Sequence, residues 1–577
     1  MLGAMSQNSG NWRPANDGQG HANQQPQQPY GQQPPQPYGQ QPPQPYGQQP
    51  PQPYGQQPQQ QAATPYRADP YSPTPQRGPR PSGRGRSGGV RGAMIALIAI
   101  VLVIVLLFIG FAVFFVVARD SVTPPLDPVS RPGGTSAEDP YFPQHGATGY
   151  DALGYEADLT WDEGTDTLSG HSTMTARLTG DLSSLALDLL LEPSAVSVDG
   201  SEADFTVERD QKLVVQLPDG SRSGEEVSVR VEYSGQPGQV TPGANVQPAW
   251  HTQGDEHILA GEPGSAPFWL PTNDHPSDPA TLDVTLRVRA GDAGLSVGAL
   301  EGHTTEGDTE VWQWSLAEPA PTYAYTIAIG DFEIEEGEED GRPYLYAVSN
   351  QLPAATKAEM FEALRLTPGV IDELEELYGA PYPYGQMGGI VPVHRFWFGA
   401  LETATRPVYF SEMMTDPDEA RRIVIHEYAH MWVGNTVTPA QWKEIFLNEG
   451  LASHAEWVLA ERQGGRPAEA MLATYYHQLG SRAGFWTVDL RDPGVDHMFE
   501  QAYLRGPMAV EALRRVISED AFAELMTVWT GQQGPATVQD FVTMSQDVSG
   551  KDLSEFWRAW LEGTEPPPNT AEYGLGV

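Results

Sequence analysis

Short runs of alternating apolar and polar residues dominate the chain between residues 146 and 335. In "VSVRVEY" the apolar positions begin with Val227, Val229 and Val231, and "LDVTLRV" repeats the pattern from Leu282. A period of two is typical of strands that bury one face and expose the other. Gly, Asp and Pro separate these runs from others such as "KLVVQLPDG" and "TYAYTIAIGDFEI". The region 146–335 is therefore predicted to form an antiparallel β-sandwich.

From about residue 353 the period becomes that of a helix. The segments "ATKAEMFEALRLTPGVIDELEELYG" and "PDEARRIVIHEYAHMWVG" place apolar residues three and four positions apart, and at least four helices are expected before residue 562. We assign residues 336–565 to a mainly α domain and residues 566–577 to a C-terminal tail. The predicted fold class is α+β, with the β domain first.

An unbroken apolar run of 26 residues, "AMIALIAIVLVIVLLFIGFAVFFVVA", occupies residues 93–118. It is long enough to cross a bilayer as one transmembrane helix, and it starts too late and is too long for a cleaved secretory signal. Five arginines precede it, from Arg77 to Arg91, whereas Arg119 on its other flank is followed by two aspartates. Because the positively charged flank of a transmembrane helix stays on the cytoplasmic side, we expect a single-pass cell-membrane protein. Its N-terminus would be cytoplasmic and the rest of the chain extracytoplasmic.

The first 92 residues contain little that could build a core. The unit "QPYGQQPP" repeats and sets Tyr30, Tyr38 and two later tyrosines in register, with few aliphatic side chains to offset the entropy of ordering. We predict a disordered, extended cytoplasmic tail over residues 1–92. It is either a solvated spacer or a docking segment for a cytoplasmic partner. Residues 119–145 are predicted to be a Pro-rich linker.

Charge and cysteine usage exclude several classes of function and site. The chain has 33 Lys and Arg against 75 Asp and Glu, and its net charge is −42; the tail contributes +5, which leaves about −47 for the rest. Nucleic acid is therefore a poor partner. Because cysteine is absent, disulfides and thiolate ligands are excluded, and any metal must take His and carboxylate ligands.

Two histidines four residues apart, His426 and His430, occur in "HEYAH" on a predicted helix. Residues at this spacing share one face, so both imidazoles can bind one cation; alone, the pair could equally be a polar stripe. Glu449 in "FLNEGLA" follows after 18 residues, a gap that suits a second helix folded across the first. Two imidazoles and one carboxylate with an open fourth position are typical of a catalytic zinc. We therefore predict one Zn²⁺ per chain and a peptidase.

The remaining acid of the motif, Glu427, is expected to be a base and not a ligand. Zinc acidifies water and polarises a scissile carbonyl, so Glu427 would take the proton of the attacking water and pass it to the leaving amine. His454, five residues past Glu449, falls off that helix face. It is expected at the surface rather than on the metal.

With these motifs the chain resembles the aminopeptidase N family of gluzincin zinc metallopeptidases, whose signature is His-Glu-x-x-His, 18 residues and Glu. The resemblance runs from about residue 148 to 562 and implies a thermolysin-like, mainly α catalytic domain behind the β-sandwich. The sequence stops soon after "FWRAWLEGTEPPP", without the large C-terminal helical domain of many members. A minimal two-domain, membrane-anchored form is therefore expected.

The segment "FGALETATRP" is similar to the family's Gly-Ala-Met-Glu-Asn substrate segment. The resemblance assigns Gly399, Ala400 and Glu402 to substrate binding, with the Glu402 carboxylate on the peptide's α-amine and an edge strand along the peptide backbone. Leu401 replaces Met, and Thr403 replaces Asn. The second replacement puts one backbone contact in doubt.

Two more segments are similar to family elements. In "GEPGSAPFWLPTNDHP" Glu262 precedes Pro271 by nine residues, as in the stretch that supplies a second amine-binding group. Two carboxylates beside zinc would fix a free N-terminus and set the first peptide bond over the metal. "AYLRGPMAVEALRRV" resembles the Tyr-x-Lys-Gly helix start, with Arg505 in place of Lys. Tyr503 is thus expected to donate its phenol proton to the oxyanion.

The sequence therefore predicts a zinc aminopeptidase that removes N-terminal residues from extracellular peptides with a free N-terminus. A thermolysin-like endopeptidase is the first alternative; it would share both helices and the three ligands, but Glu262, Glu402 and the Tyr-x-Arg-Gly segment argue against it. The second alternative is a non-catalytic cell-surface binding protein of the same fold. The complete ligand set and the base argue against that one.

Overall fold

The computed structural model describes residues 130–576 except 209–210, 244–245, 397 and 483. The predicted tail, 1–92, and the predicted membrane helix, 93–118, lie outside the described residues. Within the described part of the chain, no helix combines the length and the apolar character needed to cross a bilayer.

The N-terminal domain is rich in β-strands. In chain order its described strands are β1 Arg131–Pro132, β2 Tyr150–Asp162, β3 Thr167–Leu178, β4 Leu182–Asp188, β5 Glu192–Val198, β6 Ser201–Glu202, β7 Phe205–Val207, β8 Lys212–Gln216, β9 Glu226–Gly235, β10 Trp250–Gln253, β11 Glu256–Leu259, β12 Ala280–Arg289, β13 Ala293–Ser296, β14 Ala299–Glu306, β15 Thr309–Ala320 and β16 Ile327–Gly330. Eight of them form one sheet in the order β14-β15-β12-β2-β3-β9-β5-β6, and two four-stranded sheets have the orders β1-β4-β8-β7 and β10-β11-β16-β13.

The alternating runs seen in the sequence are strands with one buried face. Val229 and Val231 of β9 and Leu282 and Leu286 of β12 are all buried in the core. The large sheet is not antiparallel throughout, however, because β12 pairs with β2 in parallel. A parallel pair needs a long crossover connection, and residues 163–279 provide one that the local pattern does not reveal.

The second domain places helices around a five-stranded sheet. Its described strands are β17 Phe332–Glu339, β18 Arg342–Ser349, β19 Met387–Val391, β20 Ala400–Leu401, β21 Val408–Tyr409, β22 Val437–Pro439 and β23 Gly534–Ala536. Its described α-helices are α1 Ala354–Leu364, α2 Thr367–Tyr378, α3 Pro417–Ala429, α4 Leu451–Arg462, α5 Ala468–Leu479, α6 Met498–Ile517, α7 Glu519–Thr530, α8 Val538–Ser549 and α9 Ser554–Trp557.

The five-stranded sheet has the order β17-β18-β19-β21-β20, so β20 lies at an edge. Strand β17 begins at Phe332 and pairs only within this sheet. The domain therefore starts a few residues before the boundary at 336 drawn from the sequence. The predicted C-terminal tail packs against this domain through Leu575, which is buried.

The described part of the predicted linker, residues 130–145, is bound to both domains. The buried Asp139 carboxylate accepts a hydrogen bond from the Trp442 main-chain N–H (2.8 Å) and lies 3.3 Å from His275 Nε2. Tyr141 donates its hydroxyl proton to Asp492 across 2.5 Å. Because His275 belongs to the β domain while Trp442 and Asp492 belong to the helical domain, this segment links the two.

Local sequence signals fix the two helices that carry the metal motif. Helix α3 begins where the Asp416 side chain accepts hydrogen bonds from two main-chain N–H groups, with Pro417 in the first turn. Ahead of α4, residues Phe446–Gly450 form a π-helical turn. A Cβ on Gly506 of α6 would lie 2.7 Å from the Gly450 Cα. Both glycines thus allow α6 to approach this turn closely.

Candidate active site

The three predicted metal ligands converge on one point. His426 Nε2 lies 3.1 Å from Glu449 Oε2 and 3.2 Å from His430 Nε2, and His430 Nε2 lies 3.5 Å from the same carboxylate oxygen. All three side chains are buried. Helix α3 supplies the His426 imidazole, the cap residue that directly follows it supplies that of His430, and the π-helical turn before α4 supplies the carboxylate.

These separations fit a tetrahedral zinc. Ligand atoms about 2.0–2.1 Å from Zn²⁺ at tetrahedral angles would be about 3.3–3.4 Å apart, and the three observed distances bracket that value. The donor set of two imidazoles and one carboxylate also matches catalytic zinc sites. His426, His430 and Glu449 are therefore the residues that would hold the metal.

Glu456 orients His426 and was not found from the sequence. Its Oε1 lies 2.7 Å from His426 Nδ1, on the opposite edge of the ring from the metal-facing nitrogen, and its Oε2 accepts from Arg422 at 2.9 Å. Such a carboxylate fixes the tautomer and orientation of a metal-binding imidazole. Glu456 follows Glu449 by seven residues, two helical turns on one face, which is the signal that could have revealed it.

The other imidazole is also fixed. His430 Nδ1 lies 3.0 Å from the Val433 main-chain oxygen, leaving Nε2 for the metal. A Cβ on Gly434 would come within 3.3 Å of His430 Nδ1 and 3.1 Å of Asn448 Nδ2. Gly434 also has φ +128°, in the region that favours glycine. The turn after α3 thus lies close against the metal site.

Several carboxylates crowd around this point. Burial raises the pKa of Glu427 to about 8, and the nearby Glu402 and Glu449 add repulsion that the two histidines oppose. The pKa of Glu449 is about 2 even though burial raises it, because His430 and His426 stabilise its charged form. A cation at the three-ligand site would lower the pKa of Glu427. The carboxylates around Glu427 therefore favour the binding of a cation at this point.

The substrate segment lies on the predicted edge strand. Ala400 and Leu401 form β20, and Gly399 before them has φ +96°. Glu402 directly follows the strand and is buried, and its Oε1 has no hydrogen-bond partner within the described residues. Burial is the first cause of the raised pKa of Glu402. The Thr403 hydroxyl donates to the Arg406 main-chain oxygen (2.6 Å), so it closes the loop.

Glu262 comes from the β domain to the same cavity. One of its carboxylate oxygens lies within 4.8 Å of an oxygen of Glu402 and of Glu449. Its Oε1 is buried and has no hydrogen-bond partner in the described structure. Burial, with repulsion from Glu402, Glu449 and Glu427, raises its pKa well above the usual range. Glu262 and Glu402 are therefore neighbouring acids, and each has one carboxylate oxygen without a hydrogen-bond partner among the described residues.

Tyr503 lines the same cavity beside His426. It lies in the second turn of α6, with its ring stacked on that of His426 at a centroid distance of 5.6 Å and an angle of 27°. Burial raises the pKa of Tyr503 well above 10, so the phenol keeps its proton. Phe398, Leu401 and Phe499 also line the cavity; the sequence patterns did not single out the two phenylalanines.

Two residues beside these motifs have structural roles. His454 is only 3% exposed, and its Nε2 lies 3.0 Å from Glu511 of α6. The expectation that it lies at the surface was wrong, because the helix face away from the metal packs against α6.

Arg505 is fully buried and donates to the main-chain oxygens of Val488 and Gly563. It thus anchors the C-terminal segment.

Comparison with known proteins identifies the family. The model of the peptidase family M1 domain matches residues 362–560. The crystal structure of an M1 zinc metallopeptidase mutant from Deinococcus radiodurans, bound to a Tyr-Ser-Ala substrate, is 30% identical with a TM-score of 0.68, and the match covers 75% of this chain and 99% of that chain. The chain belongs to the M1 family of zinc metallopeptidases. This membership confirms the predicted family, the two-domain fold and zinc as the metal.

Curated relatives within the family are longer. Aminopeptidase N of Lactococcus lactis subsp. lactis is 24% identical over 412 residues, which are 66% of this chain and 47% of the relative. Leucyl aminopeptidase of Saccharolobus solfataricus is 22% identical over 436 residues, 70% of this chain and 53% of the relative. The chain thus spans about half the length of the curated relatives it matches.

Proposed function

We propose that this chain is a zinc aminopeptidase that hydrolyses the first peptide bond of peptides with a free N-terminus. The observation that carries the proposal is the pair of carboxylates of Glu262 and Glu402, whose Oε1 atoms are buried and have no hydrogen-bond partner among the described residues. Leaving buried charge unpaired is costly. A substrate ammonium group offers positive charge and three N–H donors to this pair.

The position of the pair then selects the bond. Oxygens of Glu262, Glu402 and Glu449 lie within 4.8 Å of one another, so an ammonium bound by the first two lies beside the metal ligands. The first peptide bond follows the ammonium by two covalent bonds and is therefore the one held at the metal. Strand β20 lies at the edge of its sheet, the position at which an extended peptide can add as a further strand.

The chain's own groups move the protons. Zinc, when bound, supplies Lewis acidity that polarises the carbonyl and acidifies water. Glu427 accepts the proton of the attacking water and passes it to the leaving amine. The Tyr503 phenol donates a hydrogen bond to the developing oxyanion. Glu456 keeps the His426 imidazole in the orientation that exposes Nε2 to the metal.

An endopeptidase is less well supported by the same site. Such an enzyme must accept uncharged peptide on both sides of the scissile bond, whereas the acids Glu262 and Glu402 line this cavity. A non-catalytic binding protein would not need Glu427 beside the ligands or the proton on Tyr503. The aminopeptidase hypothesis uses every one of these groups.

We propose further that the chain is a single-pass membrane protein whose catalytic domain lies outside the cytoplasm and acts on extracellular peptides. The 26-residue apolar run 93–118 and the arginines before it support this location. The repeat-containing tail would then lie in the cytoplasm, as a spacer or as a docking segment. Protease treatment of intact cells should remove the catalytic domain and spare an epitope placed on the tail.

Two variants test the proposed activity. Glu427→Gln should retain zinc and lose about 100-fold or more of kcat on alanine p-nitroanilide, since general acid–base catalysis contributes about 10²–10⁴. Glu402→Gln should keep zinc but raise KM for this free-amine substrate. Unchanged kcat in the first variant, with zinc content measured in both, would rule out the assigned base.

A further inference from the structure

A second cavity adjoins the active site and has no part in the chemistry described above. Its volume is about 580 Å³, within the range of about 300–1,000 Å³ found for small-molecule sites. It lies among α3, α4, α5 and α6, together with residues that directly follow α4. We call it the Arg466 pocket, and the residues used here to define it are Arg422, Glu456, Trp457, Arg466, Tyr475 and Tyr503.

Tyr503 is shared by the active-site cavity and the Arg466 pocket. Glu456, another wall of the pocket, holds the Nδ1 edge of His426, whereas Glu449 lies at the Nε2 edge. The pocket therefore lies beyond His426 and Tyr503 as seen from the amine-binding acids. A peptide with its N-terminus on Glu402 and its first bond at the metal would continue toward this side.

The active-site cavity is too small for more of the substrate. It offers about 40 Å³, room for a few water-sized groups, since one needs about 10–15 Å³. The residues after the scissile bond therefore need space beyond this cavity. The Arg466 pocket is larger and shares Tyr503 with the site.

The pocket combines an apolar wall with a cation at its rim. Trp457 and Tyr475 stack with a centroid distance of 5.3 Å and an angle of 11°. Arg422 is already paired with two carboxylates, those of Glu419 and Glu456. Arg466 is exposed and donates to the Ala470 main-chain oxygen at 2.9 Å and to Thr474.

Arg466 differs from its neighbours in having no carboxylate within 4 Å among the described residues, whereas Arg421 binds Glu373 at 2.7 Å. Asp418, in the first turn of α3, also lines the pocket, where its charge is stabilised by the helix N-terminus. Arg466 is thus the rim cation that remains available for a ligand carboxylate.

We propose that the Arg466 pocket binds the C-terminal part of short peptide substrates and that Arg466 pairs with their terminal carboxylate. This inference rests on the proposed aminopeptidase function and names its substrate class as short peptides with both termini free. Arg466 sets the specificity for peptides with a free C-terminal carboxylate, because a guanidinium can bind a carboxylate with two N–H groups.

The test compares tri-, tetra- and penta-alanine as free acids and as C-terminal amides. For at least one length the zinc-loaded wild-type enzyme should prefer the acid by about tenfold in kcat/KM, because a charge-assisted hydrogen bond is roughly twice as strong as a neutral one; the difference should appear in KM. R466Q should bring the ratio of acid to amide close to one.

R462Q is the matched control. Arg462 is four residues earlier, is exposed, and lies outside the pocket, with Glu376 3.9 Å away. This variant should keep the wild-type preference, and equal melting temperatures of both variants would establish that each is folded. Equal rates on acid and amide at every length, or an R466Q ratio equal to that of wild type, would overturn the inference.

A failure of the proposed function gives a different result from a failure of the inference about Arg466. Alanine p-nitroanilide has no terminal carboxylate. If the wild-type enzyme releases nothing from it, this result would overturn the aminopeptidase assignment and the substrate class with it. Turnover of this compound without any acid preference would overturn only the role of Arg466.

Discussion

The Asn435 side chain donates a hydrogen bond from Nδ2 to the Glu402 main-chain oxygen over 2.8 Å. The Asn435 main-chain N–H donates to the His430 oxygen over 3.0 Å. One buried residue thus connects the second histidine ligand with the proposed amine-binding acid. Since the Thr403 hydroxyl is used within its own loop, Asn435 is a side chain that ties Glu402 itself to the turn after the metal-binding helix.

Asn435→Ala should weaken substrate binding without loss of zinc. The Glu402 oxygen would lose its donor, and an unsatisfied buried group costs about 1–3 kcal/mol. We expect kcat/KM for alanine p-nitroanilide to fall about tenfold, mainly through KM. The control is Asn350→Ala, which changes an exposed asparagine. Equal kcat/KM in Asn435→Ala and wild type would show that the loop is held by other contacts.

Glu456→Gln should lower zinc affinity. The neutral amide is a weaker acceptor for the His426 Nδ1 proton than the carboxylate, and changes to such partners typically cost about 10–100-fold in metal affinity. Competition with a chromophoric chelator measures this directly, without an activity assay. Glu376→Gln makes the same charge change on an exposed side chain and should leave zinc affinity unaltered. A wild-type zinc affinity in Glu456→Gln would contradict the assigned role.

Glu256 should make the β domain less stable as pH rises. Its Oε1 accepts a hydrogen bond from the Val393 N–H (2.7 Å), and burial raises its pKa to about 7. Because the pKa of Glu256 in the folded state exceeds its ordinary value, the folded state holds this proton more tightly than the unfolded state. The resulting contribution to the free energy of unfolding is full below about pH 4.5 and is lost as pH rises through 7.

Relative to Glu256→Gln, the wild-type free energy of unfolding should therefore fall by up to about 3 kcal/mol between pH 4.5 and 8. Urea unfolding of both proteins across this range measures the difference. A difference that stays constant with pH would mean that the pKa of Glu256 is the same in the folded and unfolded protein and is not raised by burial.

Much of the metal site could be predicted from sequence because its spacing is local. His426 and Glu427 lie in α3, His430 caps its C-terminal end, and the 18-residue gap leads to Glu449 in the π-helical turn before α4. Glu262 and Tyr503 belong to segments far from the motif, so only the resemblance to a known family indicated them. Tertiary contacts decided the rest: Asn435 joins two loops, and β2 pairs with the distant β12.

The error at His454 has a similar cause. Helix periodicity correctly placed this residue off the metal-facing side of α4, but it could not show that Glu511 of α6 covers the other side. The Arg466 pocket could not be predicted for the same reason, since four helices contribute to it. Periodicity identifies the faces of a helix, and the packing partner of each face depends on the whole fold.

The most direct test of the central claim compares one peptide with a free and with an acetylated N-terminus, with products identified by mass spectrometry. The account predicts stepwise release of N-terminal residues from the free peptide. It predicts a kcat/KM at least about 100-fold lower for the acetylated one, because hydrogen bonds to charged groups contribute about 1.5–3 kcal/mol each and Glu262 and Glu402 would both lose theirs. Internal cleavage of the acetylated peptide at a comparable rate would contradict the aminopeptidase assignment.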